Sequence, residues 1–306
     1  MVPLTQQTSI DACLAEQIRR ACILEATARK PGNVHPEAAF ADLTWHDFVL
    51  SAEAVAPVLA RTRELGVGRA TRDAVLATRQ RVSTNTNLGI ILLIAPLAAV
   101  PTSLRLVDGI GAVLAGLSLS DTEMVYEAIR LAQPGGLGKV PDQDIQDRPT
   151  QGLVNVMKLA AERDLIARQY VENFSLVLNF AVPYLASVPD FATRWEPALI
   201  GLQLELLSRH RDSLIRRKCG AVVADEASRR ARQVLQTAAD GLPFASAAIA
   251  EFDGWLRGDA HRRNPGTTAD LIAASLFAAM REGVVPAPAD WAGVQHKAQQ
   301  APLVEN

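Results

Sequence analysis

The chain has 306 residues, of which 49% are hydrophobic, and a formal net charge of −2. This length and apolar content allow a large hydrophobic core, and the near-neutral charge gives no support to a general nucleic-acid-binding role. The three cysteines, Cys13, Cys22 and Cys219, are too few and too scattered for a disulfide framework or a zinc site.

The first residues lack the basic and then apolar pattern of a secretory signal peptide. The longest apolar run, from Leu88 to Val100, is well short of the roughly 20 residues that cross a bilayer. We therefore expect a cytoplasmic protein that binds neither membranes nor nucleic acid.

Helical periodicity dominates the chain, and capping residues mark several helix starts. Ser9 can cap a helix that runs to Arg29, and Thr44 with Asp47 is a capping box for the next helix. Further helices are predicted at 69–81, at 87–100, after a capping box of Ser120 and Glu123, at 151–170 and beyond with a break near Pro183, at 196–208, at 225–239, at 244–256, and from Pro265 to Arg281.

Alternating patterns typical of β-strands are nearly absent. We therefore predict an all-α fold in which residues 1–288 form a single domain of about a dozen helices. The apolar segment 87–100 is predicted to be its buried central helix. Residues 289–306 are predicted to form a C-terminal tail that is ordered only in part.

Five polar segments interrupt the helical pattern. They are residues 28–43, 83–89, 134–152, 211–220 and 261–271. In an all-α protein, a polar site is built at helix ends and in the loops between them. Helix N-termini present free N–H groups and the positive end of the helix dipole, which suit phosphate groups. Each segment is therefore a candidate part of a ligand site.

The segment 83–89 places Asn85, Thr86, Asn87 and Gly89 at the start of the predicted buried helix. Any one of the polar residues can cap that helix, but one cap needs only one such side chain. Ligand binding and simple capping both remain open.

The segment 28–43 contains Lys30, a Pro-Gly turn ending at Gly32, Asn33 and His35. Lys30 and His35 can serve a ligand site, or be a solvated helix-end charge and an ordinary loop histidine.

Three glycines in the segment 134–152 precede Asp142, Asp144 and Asp147. Glycines permit close approach of a ligand to the backbone, and spaced aspartates are oxygen ligands of the kind that Mg²⁺ or Ca²⁺ takes. The spacing matches neither an EF-hand nor a P-loop. A solvated acidic loop is the alternative.

The segment 211–220 surrounds Asp212 with cations that include Arg216 and Lys218. These cations can clamp phosphate or form a solvated face. In the last segment, Asp270 lies one helical turn after Thr267, where it either reaches a ligand or only complements the helix dipole.

Taken in order, these segments resemble the triphosphoribosyl-dephospho-CoA synthase family, whose members make the prosthetic-group precursor of citrate lyase and malonate decarboxylase. The matching stretches cover nearly the whole chain, in the order EATARKPGNVHP, SAEAVAPVL, NTNLGIILLIAPLA, PGGLGKVPDQD, DSLIRRKCG and NPGTTADLIAASLF. Each stretch is a weak signal alone, whereas six in the right order are strong evidence of homology.

The resemblance implies an all-α transferase that uses ATP as a substrate and depends on Mg²⁺. The family reaction joins the 2′-hydroxyl of the dephospho-CoA ribose to C1′ of the ATP ribose and expels adenine, and the triphosphate stays on the product. Such a glycosyl transfer needs a base for the hydroxyl, a proton for adenine and cations for the triphosphate.

The resemblance also implies roles for the polar residues. Lys30, Arg216 and Lys218 are expected to hold phosphates. Asp142, Asp144 and Asp212 are expected to bind Mg²⁺ or to take the proton. The other expected nucleotide-binding residues are Gly32, Asn33, His35, Asn85, Thr86, Asn87, Gly89 and Asp270.

The chain departs from citrate-lyase-type members, which carry Asn-Thr-His-Lys-Gly where this chain has Asn87 and Leu88 in place of His and Lys. An alternative is therefore an enzyme of the same fold that acts on another phosphorylated substrate in cofactor biosynthesis, such as a methanopterin-type one-carbon carrier pathway. A non-catalytic binding or assembly protein on the same scaffold is a further alternative. The expected partner is a nucleotide or a related small molecule, and a homodimer is left open.

Overall fold

Sixteen α-helices and one short π-helix make up the regular structure of residues 4–135, 142–237 and 246–300, which are the residues that the computed structural model describes. No strand forms among these residues, so the predicted all-α fold is confirmed, with more helices than the dozen expected. In chain order the α-helices are α1 (Leu4–Thr27), α2 (Trp45–Ala60), α3 (Thr62–Leu65), α4 (Val67–Arg79), α5 (Leu88–Ala99), α6 (Leu106–Ala115), α7 (Leu119–Ala132), α8 (Leu153–Ala160), α9 (Leu165–Val171), α10 (Val182–Ser187), α11 (Phe191–Arg209), α12 (Ser213–Cys219), α13 (Ala221–Leu235), α14 (Ser246–Arg257), α15 (Gly266–Arg281) and α16 (Trp291–Gln300), and the π-helix is Leu176–Ala181.

Helix α5 lies at the centre of the core, as its uninterrupted apolar sequence predicts. Every residue from Leu88 to Ala98 is buried, because α2, α4, α6 and α15 pack around it. A helix that is apolar on all sides is stable in water only when other elements cover all of its faces. The second long apolar helix, α15, packs on both α1 and α5.

Pro96 lies inside α5 and has no N–H to donate to the Leu92 carbonyl one turn earlier. The Tyr170 hydroxyl of α9 donates a hydrogen bond to that carbonyl at 2.6 Å. The tyrosine is fully buried, so its own polar group is satisfied by the same bond. The hydrogen bond therefore satisfies both the tyrosine hydroxyl and the Leu92 carbonyl, and it joins α9 to the central helix.

A second, smaller hydrophobic cluster lies beside the main core and is built from α11, α12, α13 and α14. Ile215, Ala227, Phe252 and Leu256 are fully or almost fully buried in it. This cluster supports the polar segment 211–220 from one side.

The capping box of α2 is confirmed, with Thr44 and Asp47 bonded to each other's backbone N–H. The box of α7 is formed by Ser118 and Asp121, not by Ser120 and Glu123 as predicted. The Asp121 carboxylate also accepts a hydrogen bond from Gly68 N at 2.9 Å, and this tertiary contact stabilises the earlier start.

The region predicted as one helix from 151 onward is divided. Helix α8 ends at Ala160, and Asp164 caps a new helix through hydrogen bonds from the N–H groups of Ile166 and Ala167. The chain does not break at Pro183, because the π-helix passes directly into α10 and the proline occupies the first turn of α10.

The tail predicted from residue 289 contains α16, and its Trp291, Val294 and Ala298 are buried against the main core. The guanidinium carbons of Arg19 and Arg20 lie 5.4 and 5.0 Å from the Trp291 ring centre. Such cation–π contacts fix the helix to α1. Within the described residues, no helix combines the length and apolar character needed to cross a membrane.

Candidate functional site

A cavity of about 940 Å³ opens where several helix ends meet, and all five polar segments contribute to its wall. The N-terminal ends of α5, α9 and α15 line it together with the C-terminal end of α12. A volume of this size is at the upper end of the range typical for small-molecule sites. The sequence segments singled out for their polarity therefore converge on one site.

The run from Asn85 to Asn87 contributes to capping, to packing and to the cavity wall. Asn87 occupies the N-cap position of α5, but it is Asn85 Oδ1 that accepts a hydrogen bond from the first N–H of the helix, at 3.2 Å. Asn87 Nδ2 donates to Thr78 Oγ1 of α4 at 3.1 Å, and Thr86 Oγ1 lies 2.6 Å from Ser51 Oγ of α2. All three residues of the run also line the cavity. Simple capping thus accounts for only one of them.

Gly89 and Asp270 face each other at the cavity floor. A Cβ atom added at Gly89 would lie 2.5 Å from Asp270 Cγ and 2.7 Å from Ile166 Cδ1, which is too close for any side chain. Glycine is therefore required at this position so that the carboxylate of α15 can lie against the first turn of α5. No hydrogen bond from a described residue reaches the Asp270 carboxylate, which leaves both of its oxygens available to a ligand.

Burial raises the pKa of Asp270 well above its usual range. The negative charges of Glu25, Asp212 and Asp164 raise it further, and Arg217 has a smaller opposing effect. These effects favour the protonated form of Asp270.

Asp212 was expected to bind metal or to act as a base, but its carboxylate joins two helix N-termini. Oδ1 accepts from the N–H groups of Leu214 and Ile215 at 2.9 and 3.0 Å, which caps α12. Oδ2 accepts from Thr268 N and Thr268 Oγ1, both at 2.8 Å, at the start of α15. Asp212 is fully buried and does not line the cavity. Burial raises its pKa, and these hydrogen bonds lower it in part.

Asp142 and Asp144 are not among the described residues that line the cavity. Asp142 is exposed, and Asp144 Oδ1 accepts a hydrogen bond from Gln146 N at 2.9 Å. Over the described ranges, no three His, Cys, Asp or Glu side chains are grouped so as to hold a metal ion. The predicted set of Asp142, Asp144 and Asp212 therefore does not fit a magnesium cage.

Lys30 is fully buried and does not line the cavity. Its Nζ lies 2.9 Å from Glu25 Oε1 and donates to the carbonyl oxygens of Glu25 and Ala28. The ammonium group expected to bind phosphate therefore uses its donors inside the protein, and it is Glu25 that lies between Lys30 and the cavity.

Gly32 and His35 stabilise the turn after α1 and do not line the cavity. Gly32 has φ +75°, a backbone conformation that favours glycine, and its N–H donates to Asp253 Oδ1 at 2.7 Å. His35 Nδ1 accepts from Glu37 N at 3.3 Å. Burial lowers the pKa of His35, and the nearby Arg257 lowers it further.

Asn33 does reach the cavity and connects three segments of the chain. Its Nδ2 donates to Asn264 Oδ1 and its Oδ1 accepts from Gln203 Nε2, both at 2.8 Å. The amide is thereby held in a fixed orientation at the wall.

The cations of α12 point in different directions. Arg216, predicted to hold phosphate, donates to the Glu162 carbonyl and does not line the cavity. Lys218 does line it and is exposed. Arg217, which the sequence reasoning did not select, also lines the cavity and donates to the Gly135 carbonyl at 2.9 Å.

Arg79, at the end of α4, and Arg262 add two further cations to the wall. Together with Arg217 and Lys218 they form the cationic group of the cavity. Arg79 was missed because a basic residue in the last turn of a helix is ordinary.

Glu25 and Asp164 were also missed, although both line the cavity. Glu25 occupies the apolar stripe of α1 defined by Ile18, Ala21 and Ala28. A carboxylate in a buried stripe is unusual, so its position was a detectable signal. Asp164 fell inside the helix predicted at 151–170, because the helix break before it was not predicted.

Comparison with known proteins places the chain among enzymes of one kind. The family model described as ATP:dephospho-CoA triphosphoribosyl transferase matches residues 11–286. Among solved structures, a protein from Archaeoglobus fulgidus assigned as a triphosphoribosyl-dephospho-CoA synthase is similar at 26% sequence identity and a TM-score of 0.61, over 77% of this chain and 99% of that chain. No curated protein matches the chain.

Proposed function

Because the chain belongs to the ATP:dephospho-CoA triphosphoribosyl transferase family, we propose that the cavity is the site where ATP and dephospho-CoA react. The protein is an enzyme of the triphosphoribosyl-dephospho-CoA synthase kind. The observation that supports the proposed site is that one cavity contains both the cationic group and a set of carboxylates.

The cationic group suits the triphosphate. Arg79, Arg217, Lys218 and Arg262 line the same cavity as the first turn of α5. Arginine binds phosphate oxygens in a bidentate manner, and helix N-termini favour anions. We propose that these groups hold the triphosphate of ATP, whereas Lys30 and Arg216 have no direct part in phosphate binding.

The carboxylates suit the reacting ribose. Cleavage of the bond between C1′ and adenine develops positive charge on the ribose, and enzymes that cleave glycosidic bonds place carboxylates at such a centre. Glu25, Asp164 and Asp270 line the cavity wall. We propose that the ribose of ATP lies above them.

Aromatic rings offer a surface for a nucleotide base. The rings of Phe40 and His261 are stacked with centroids 4.1 Å apart, and both residues line the cavity. A flat stacked pair of this kind can pack against adenine.

We propose that Mg²⁺ enters with ATP as its counter-ion. Mg²⁺ in nucleotide-dependent enzymes is bound largely by substrate phosphates and water and needs only one or two protein carboxylates. This accords with the absence of a three-residue metal cluster over the described ranges.

The alternative acceptor of a methanopterin-type pathway is not favoured, because both the family and the similar structure concern triphosphoribosyl transfer to dephospho-CoA. We further propose a cytoplasmic enzyme, in keeping with three cysteines that form no disulfide. Light scattering on the purified protein decides between a monomer and a homodimer.

The proposed function is tested by incubating the protein with ATP, Mg²⁺ and dephospho-CoA and measuring free adenine and the product mass. We expect adenine and triphosphoribosyl-dephospho-CoA in equal amounts. Lys218→Ala should raise KM for ATP, whereas the control Arg69→Ala, which removes an exposed ion pair with Asp73 outside the cavity, should not. Absence of adenine release by the wild type would refute the proposal.

A further inference from the structure

Three ionisable side chains lie in the cavity floor or directly behind it. Lys30 lies behind the floor, Glu25 lies in it, and Asp270 lies in it on the neighbouring helix α15. Glu25 and Asp270 line the same cavity, and the negative charge of Glu25 helps to raise the pKa of Asp270.

The ion pair of Lys30 and Glu25 is buried, and only Glu25 of the two residues lines the cavity. The side chain of Lys30 is 0% exposed, and that of Glu25 is 4% exposed. A buried lysine of this kind is rare unless it has a partner, and here its ammonium group has Glu25 Oε1 and two backbone carbonyls.

Among the described residues, only Lys30 bonds to the Glu25 carboxylate. No hydrogen bond from a described residue is donated to Oε2, and Glu25 lines the cavity. Asp212 provides the contrast, because each of its oxygens accepts two hydrogen bonds from helix N-termini. A carboxylate with an available oxygen in the cavity can accept a proton there, whereas Asp212 cannot.

We propose that Glu25 is the base that activates the acceptor hydroxyl, and that Lys30 is a positioning residue that holds the Glu25 side chain in place. This assignment rests on the proposed function. The hydroxyl proton passes to Glu25 as the hydroxyl oxygen bonds to C1′ of the ATP ribose. The bond from C1′ to adenine breaks, adenine leaves with the electron pair, and it receives a proton from Asp270. Transfer of the proton from Glu25 to Asp270 then restores both groups.

The environments of the two carboxyl groups support this division of roles. Glu25 has the ammonium group of Lys30 directly behind it, 2.9 Å from Oε1. Asp270 has no hydrogen bond from the described residues, and burial raises its pKa. Carboxyl pairs with environments that differ in this way commonly serve as base and acid in one reaction.

The first test is Glu25→Gln, which keeps the size of the side chain. We expect kcat to fall by about 10²- to 10⁴-fold, as for loss of a general base, with the affinity for ATP changed by less than about threefold. The matched control is Glu196→Gln, which removes a half-buried carboxylate that is paired with Arg29 and does not line the cavity, and which should leave kcat unchanged. A Glu25→Gln enzyme with more than about a tenth of the wild-type kcat, or with only its KM changed, would overturn the role as base.

The second test separates positioning from folding. Lys30→Met leaves Glu25 buried without its counter-ion, whereas the double variant Lys30→Met with Glu25→Gln has no unpaired buried charge and should fold. If Lys30 acts through Glu25, the Lys30 change lowers kcat in the wild-type background and has no further effect in the Glu25→Gln background. Equal losses in both backgrounds would overturn the positioning role.

These outcomes are distinguishable from failure of the proposed function. A wild-type enzyme that releases adenine while Glu25→Gln remains fully active overturns the assignment alone. A wild-type enzyme that releases no adenine overturns the function and, with it, the assignment.

Discussion

Replacement of Asp212 by Asn tests whether this residue holds two helix starts together. The carboxylate accepts four hydrogen bonds, two on each oxygen. An amide has only one oxygen, and its NH₂ group can only donate. If the amide oxygen keeps the cap of α12, the NH₂ group faces Thr268 N–H, which then has no acceptor.

The cost follows from these contacts. A buried N–H left without an acceptor costs about 1–3 kcal/mol, and the charge-assisted bond from Thr268 Oγ1 is replaced by a weaker one. Loss of a buried charge offsets part of this, because burial raises the pKa of Asp212. We expect the free energy of unfolding to fall by about 2 kcal/mol.

The assay is urea unfolding followed by circular dichroism, with Asp164→Asn as the matched control. Asp164 caps α9 through Oδ1 alone, and its Oδ2 has only a partly exposed contact with Arg217 at 3.9 Å. An amide can keep that cap, so the control should lose less than about 1 kcal/mol. The structural role would be refuted if Asp212→Asn unfolded at the same urea concentration as the wild type. It would also be refuted if both variants lost the same free energy of unfolding.

Three further changes test the cavity floor. The pKa of Asp270 is raised in the folded state, so its favourable effect on stability is present at low pH and is lost as the pH rises above 3.8. In thermal melts, the stability of Asp270→Asn relative to the wild type should therefore increase as the pH rises from about 4 to about 8. A difference that stays constant over this range would contradict the prediction. Gly89→Ala should destabilise by about 1–3 kcal/mol through its collision with Asp270, whereas Gly111→Ala in α6, which has room for a methyl group, should not. Leu88→Lys adds a cation to the cavity wall and should tighten ATP binding by about tenfold in calorimetry; unchanged affinity would place the triphosphate elsewhere.

The fold was largely predictable because helical periodicity and burial act locally. The apolar run of α5 has no polar face, so it had to be central. The start of α7 was not predictable from local pattern, because Ser118 with Asp121 and Ser120 with Glu123 are overlapping capping boxes. The contact of Asp121 with Gly68 N decides between them, and that contact exists only in the folded chain.

The convergence of the polar segments on one cavity was predictable, but the contacts of individual residues were not. Polar segments at helix ends converge on one cavity, as their composition indicated. Lys30 and Asp212 carry charges typical of a phosphate or metal site, yet both are bonded inside the protein. Sequence spacing does not reveal that Thr268 reaches Asp212 or that Glu25 faces Lys30, because these partners depend on packing between distant helices.

The bond between Tyr170 and the Leu92 carbonyl has a consequence for evolution. Tyrosine is needed at 170 only while proline at 96 leaves that carbonyl without a helical donor. Homologues with another residue at 96 complete the helix by themselves and can carry phenylalanine at 170. The residues at positions 96 and 170, on helices that both line the cavity, should therefore change together in related sequences. Covariation between these two positions would indicate that the bond between α9 and the central helix is maintained in the family.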